Sequence, residues 1–97
     1  MVFMVEIKLP SEIDTNFMLK IPKHRAFINV LINQGKIQSY TINEERTKGW
    51  IIFNTETVTE AETLIQQLPL YEFITYKIHT ILVHDSEIFR FPKMHMN

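Results

Sequence analysis

The chain has 97 residues, enough for one small domain with a single layer of core and too few for two. Its formal charge is -1 with Lys and Arg spread along the sequence, which does not supply the electrostatic footprint of a nucleic-acid binder, and it has no cysteine for disulfides, thiol nucleophiles or thiolate metal sites. No apolar run approaches the roughly 20 residues of a membrane helix, and the first residues lack the basic start of a signal peptide, so the expected setting is the cytoplasm.

Residues 2–9, "VFMVEIKL", alternate Phe3, Val5, Ile7 and Leu9 with Met4, Glu6 and Lys8, the period of a half-buried strand, and Pro10 closes it. From Asp14 a helical pattern sets Phe17 and Ile21, then Phe27, Val30, Leu31 and Gln34, along one face and ends at Gly35, a residue suited to a helix C-terminus. Pro22 interrupts this pattern: either the helix kinks there or a short turn precedes a helix that starts near Pro22. Residues 36–45 and 49–56 read as two strands of a hairpin joined at "RTK". Thr57 and Glu60 have capping-box spacing, and Val58, Ala61, Leu64, Ile65 and Leu68 follow along one face of a helix that Pro69 ends. Residues 68–86, "LPLYEFITYKIHTILVHDS", read as one long final strand. One of its rows, Ile74, Tyr76, Ile78, Thr80 and Leu82, is nearly all apolar; the other, Thr75, Lys77, His79, Ile81 and Val83, begins polar and ends apolar.

The order β-α-β-β-α-β predicts an α+β, ferredoxin-like domain over residues 1–88, with two helices on one face of a four-stranded antiparallel sheet. Residues 89–97, "FRFPKMHMN", carry no periodic pattern and are expected to form a C-terminal tail in which Phe89, Phe91 and Pro92 dock on a neighbouring subunit. The helices can cover only one side of the sheet, so Met4, Glu6 and Lys8 with Lys77, His79, Ile81 and Val83 form an open face. Two such faces packed together would make a homodimer with a cavity between the sheets, and further assembly fits a small chain that is 45% hydrophobic.

With these elements in place the chain resembles muconolactone isomerase and its relatives, members of the dimeric α+β barrel group. The likeness is carried by "LPLYEFITYKIHTILVHDS", with Leu-Pro-Leu, two aromatics and a His just before the strand's end, and by Ala26–Phe27, Gln34 to Lys36 and Ile52–Phe53; it runs from about Phe3 to Ile88. The resemblance implies a reaction without cofactor or metal, in which a proton moves along the ring of an unsaturated lactone. Such a step needs a base, a group that steadies the enolate and an acid. Glu6 falls where the isomerases carry an acidic residue on the first strand, and His84 matches in type. Met4, Ser39 and Ile42 stand where the family places basic or imidazole side chains, which implies a less charged substrate or the recruitment of Lys8, Lys77 or Arg46.

Glu6 and His79, on neighbouring strands of the open face, are the expected acid–base pair. The plainer reading makes Glu6 a cross-strand ion pair with Lys77 or Lys8 and puts His79 at a subunit seam. Lys8, Lys77 and Met4 are the substrate-binding residues expected around the pair. Tyr40 and Trp50, on the hairpin strands, are expected to line an apolar pocket for a small apolar or cyclic ligand, or else to be core or interface aromatics. His24 would lean over the cavity mouth, or simply be a solvated helix histidine. Met94, His95 and Met96 are soft ligands in an unpatterned terminus and do not make a closed metal site. The best-fitting function is a cofactor-free isomerase acting on a small lactone or carbonyl compound. The alternatives are a non-catalytic small-ligand-binding dimeric module and a cofactor-free monooxygenase of the same barrel group.

Overall fold

A computed structural model describes residues 1–86. It contains β1 (Val2–Lys8), α1 (Thr15–Asn33), β2 (Ile37–Ile42), β3 (Lys48–Asn54), α2 (Val58–Gln66), a 3-10 turn (Tyr71–Phe73) and β4 (Thr75–Thr80). The strands form one antiparallel sheet in the order β2-β3-β1-β4, so the first strand lies inside the sheet between the third and the last. This is the predicted β-α-β-β-α-β fold with both helices on one face. The proposed tail and its Met-His-Met sequence lie outside the described residues.

The alternation read in β1 sets the two faces. Phe3, Val5 and Ile7 are buried, and their cross-strand partners continue the same layer: Phe3 faces Phe53, Val5 faces Ile51 and Ile78, and Ile7 faces Tyr76. Ile28 and Leu31 of α1 and Ala61 and Ile65 of α2 close this layer from above, making one continuous core. Each such large apolar side chain contributes about 1.5–3 kcal/mol by leaving water.

Local signals fix the helix ends. The Asp14 carboxylate accepts the Phe17 N–H at 2.8 Å, so α1 begins at the predicted place and runs unbroken through Pro22 rather than restarting there. A proline inside a helix costs about 3 kcal/mol, and the stripe of Phe17, His24, Ile28 and Leu31 buried on the sheet offsets it. At the other end Gly35 takes φ of 75°. Its N–H donates to the Ile32 carbonyl at 3.0 Å, and the Lys36 N–H donates to that of Leu31 at 2.9 Å, the paired bonds of a Schellman ending. The predicted cap of α2 also forms: Thr57 Oγ1 accepts the Glu60 N–H at 3.1 Å. The Glu60 carboxylate reaches back to the Glu56 N–H at 3.2 Å and takes Lys36 Nζ at 2.6 Å, and these bonds hold its carboxyl below the usual carboxylate range.

Two elements depart from the sequence reading. The final strand is short, covering Thr75–Thr80 instead of residues 68–86. Leu68 and Leu70 are buried at the end of α2, the 3-10 turn intervenes, and Ile81 adds one bond from its N–H to the Val2 carbonyl at 3.0 Å. Leu82 and Val83, 98% and 71% exposed, therefore do not extend either row of the sheet. The second departure is a bulge in β2. Ile37 faces Phe53 but Ser39 faces Ile52, so Gln38 is an extra residue and every later side chain of β2 changes face relative to a regular strand.

Candidate functional site

The register arranges the open face in rows that run across the strands. One row is Ser39, Ile52, Met4 and His79; the next is Thr41, Trp50, Glu6 and Lys77; a third sets Lys48 opposite Lys8 and Lys8 opposite Thr75. Glu6 and His79 therefore share a face and are diagonal neighbours on adjacent strands, a relation that separates Cβ atoms by about 7–8 Å or slightly less. Lys77 and Trp50 lie directly beside Glu6 on its two sides.

Glu6 makes an ion pair, though with neither lysine expected from the sequence. Its Oε2 lies 3.8 Å from Lys48 Nζ, diagonally across β3, and both side chains are close to half exposed, 42% and 49%. At that exposure the contact is worth less than about 1 kcal/mol. Lys8 and Lys48, two like charges directly opposite, oppose pairing at the same end of the sheet. A shallow groove of about 180 Å³ lies there, lined by Glu6, Lys8, Thr75, Tyr76 and Lys77.

Tyr40 and His24 are elsewhere. The bulge places Tyr40 opposite Ile51, on the helix side of the sheet, whereas Trp50 is on the open side; the two aromatics cannot line one pocket. Ile42 likewise faces Gly49 on the core side, so of Met4, Ser39 and Ile42 only Met4 and Ser39 lie on the open face. His24 is not a solvated histidine: it is 2% exposed, and its Nε2 lies 2.9 Å from the Tyr40 hydroxyl. Burial, helped by the positive charge of Arg25, pulls its pKa down to about 4. Burial pushes the Tyr40 phenol up, opposed by Arg25. The sequence carried a signal for this histidine, since Phe17, His24, Ile28 and Leu31 are spaced by seven, four and three residues, the steps of a helix's inner stripe.

The candidate polar residues thus divide into an open-face group, Met4, Glu6, Lys8, Trp50, Lys77 and His79, and a helix-side pair, His24 and Tyr40. A family model for muconolactone delta-isomerase matches residues 1–87. The chain belongs to the muconolactone delta-isomerase family. Among solved structures, a muconolactone isomerase is similar with a TM-score of 0.69 and 22% identity, over 91% of this chain and 95% of that one. A 5-chloro-2-hydroxyhydroquinone dehydrochlorinase from Burkholderia phenoliruptrix AC1100, solved in complex with 2,5-dihydroxybenzoquinone, is similar with a TM-score of 0.64 and 14% identity, over 87% and 96%. At these identities the two structures show a shared fold. No curated protein sequence matches the chain. Among the described residues, no helix is long and apolar enough to cross a membrane.

Proposed function

We propose that this member of the family is a cofactor-free isomerase that moves a proton on a small lactone or carbonyl compound, with Glu6 as base and His79 as the acid that returns the proton. The observation that carries this reading is the register: it sets Glu6, Lys77, Trp50 and His79 as neighbours on a sheet face that neither helix covers. The Glu6 carboxylate takes a proton from the carbon beside the carbonyl, and that C–H pair becomes the enolate. The ammonium of Lys77, directly across from Glu6, steadies the oxyanion, and His79 delivers a proton to the far carbon. Lys8 holds a substrate carboxylate, while Trp50 and Met4 supply the apolar wall against the ring. The solved relative bound to a dihydroxybenzoquinone supports a small oxygenated ring as the substrate shape.

The working unit in this proposal is a homodimer of residues 1–88 formed through the open faces, with room for higher assembly, in the cytoplasm. Ile52, only 6% exposed, with half-buried Met4 and Trp50 gives that face an apolar centre. The second reading is a small-ligand-binding module without turnover, favoured by the engagement of Glu6 with Lys48.

Glu6→Gln separates the two. Trp50, cross-strand neighbour of Glu6, reports binding of lactones, phenols and cyclic enones by fluorescence, and turnover is followed on whichever class saturates. An isomerase loses about 10²–10⁴-fold in rate while binding persists. Equal behaviour of the two proteins, with saturable binding and no turnover in either, would establish the binding module instead.

A further inference from the structure

We propose a second ligand site, on the opposite side of the sheet from Glu6 and His79, in the cleft between α1 and the edge strand β2: a site for a small monocarboxylate, held by Arg25 and the Tyr40 hydroxyl, with His24 as the positioning residue behind Tyr40. The cleft has a volume of about 120 Å³ and is lined by Arg25, Ile28, Asn29, Ile32 and Tyr40. A pocket of this size is below the usual range for drug-sized ligands and suits a carboxylate carrying a few carbons. Its chemistry matches such a ligand at both ends. Arg25 presents a planar fork of donors suited to a carboxylate, Tyr40 and Asn29 add polar contacts, and Ile28 and Ile32 receive an apolar body.

The His24–Tyr40 pair is the independent observation. His24 stands in the inner stripe of α1, where an apolar side chain is the usual occupant. Instead the imidazole is 2% exposed, one nitrogen meets Tyr40 at 2.9 Å, and the other, Nδ1, is buried and has no hydrogen-bond partner among the described residues. Burying an unsatisfied ring nitrogen works against stability, so packing does not account for the pair. Its effect is on Tyr40. The ring is neutral, so one nitrogen carries the proton and the other accepts. If Nε2–H donates to the phenol oxygen, the Tyr40 hydrogen is released to point at an acceptor in the cleft, and Nδ1 is left as a bare acceptor. If the phenol donates to Nε2, its hydrogen is consumed and Nδ1–H becomes a buried donor with nothing to bond. An anionic acceptor beside Arg25 selects the first arrangement; an ammonium donor would need the second, and Arg25 repels it. The bulge at Gln38 is what turns Tyr40 to this side of the sheet.

The test titrates the full chain with acetate, propionate, butyrate and benzoate, and with the matching neutral amides, while backbone and imidazole nitrogen resonances are followed by NMR at constant pH and ionic strength. The expected result is saturable shifts confined to Arg25, Asn29, Tyr40 and the His24 ring for at least one carboxylate and not for its amide, with the His24 proton on Nε2 in the bound form. Arg25→Gln, an exposed position, and Tyr40→Phe should each weaken binding by about ten- to a hundredfold, and Glu6→Gln should leave it unchanged. Non-saturable shifts with every carboxylate, equal response to the amides, or unaltered affinity in Arg25→Gln would each overturn the site. Shifts confined to the cleft are read separately from turnover at Glu6, so the failure of one proposal is distinguished from the failure of the other.

Discussion

His24 gives the sharpest link between the fold and a solution measurement. In the unfolded chain its imidazole titrates near 6.5; in the folded protein burial, and then the charge of Arg25, bring it to about 4. The folded pKa is depressed, so between those values the unfolded chain binds the proton and the folded one does not. The contribution is therefore whole above pH 6.5 and is lost as the pH falls through 4. A difference of about 2.5 pKa units corresponds to about 3 kcal/mol at most, accumulated at about 1.4 kcal/mol per pH unit in the steep part of the window. Against a typical total stability of about 5–15 kcal/mol this is a large fraction. The assay is urea unfolding followed by Trp50 fluorescence at pH 7, 6, 5 and 4, for the native chain and for His24→Leu, with the two curves subtracted so that titration of the carboxylates cancels. The native chain should lose about 2–3 kcal/mol more than the variant between pH 7 and pH 4. Parallel curves would refute the reasoning, because a histidine that accepts its proton without cost is not sealed against the sheet. His24→Gln, which keeps a hydrogen-bonding group toward Tyr40 and does not titrate, should behave as the leucine variant does and guards against a repacked core.

Two further substitutions probe how the sheet and α1 are set. In Gly49→Ala the new methyl would lie 2.9 Å from the Thr41 carbonyl oxygen and 2.5 Å from Ile42 Cδ1, so β2 must give way; a loss of about 1–3 kcal/mol is expected, read by chemical denaturation, and a neutral result would mean that the hairpin shifts freely. Asp14→Ala removes the acceptor for the Phe17 N–H and should cost about 0.5–2 kcal/mol, with fraying of the first turn visible as faster amide exchange at residues 15–18.

Where side chains alternate or caps have fixed spacing, the fold was legible. Phe3, Val5 and Ile7 mark the core side of β1 through period two alone, Gly35 ends α1 in the left-handed conformation that favours glycine, and Thr57 with Glu60 caps α2. The sequence carries the last strand past its observed end at Thr80 because apolar residues continue there, and an apolar run does not say whether a neighbouring strand is there to pair with it. Here the pairing with β1 reaches its last bond where the Ile81 N–H donates to the carbonyl of Val2, the first residue of β1. The stripe that the sequence suggests through Phe27, Val30, Leu31 and Gln34 leaves His24 outside it, whereas Val30 is 47% exposed and the inner stripe passes through His24, Ile28 and Leu31. A polar residue in a buried stripe is easily assigned to the surface when it is judged by type and not by phase.

The bulge decides which chemistry each face has. Were β2 regular from Ile37 onward, pairing Ile37 with Phe53 would continue as residue 38 with 52, 39 with 51 and 40 with 50. Tyr40 would then stand opposite Trp50 on the open face, and Ser39 would be pressed into the core against Ile51. The extra residue at Gln38 reverses both: Ser39 joins the row of Ile52, Met4 and His79, and Tyr40 meets His24 beneath α1. One inserted position thus removes a phenol from the face that carries Glu6 and gives it to the face that carries a buried imidazole. The open face is left with a carboxylate, lysines and an imidazole around an indole, the groups that the proposed proton transfer uses. The helix side has a neutral hydrogen-bonded pair beside one arginine, a set that fits the proposed binding site and offers no exposed base to act on a ligand.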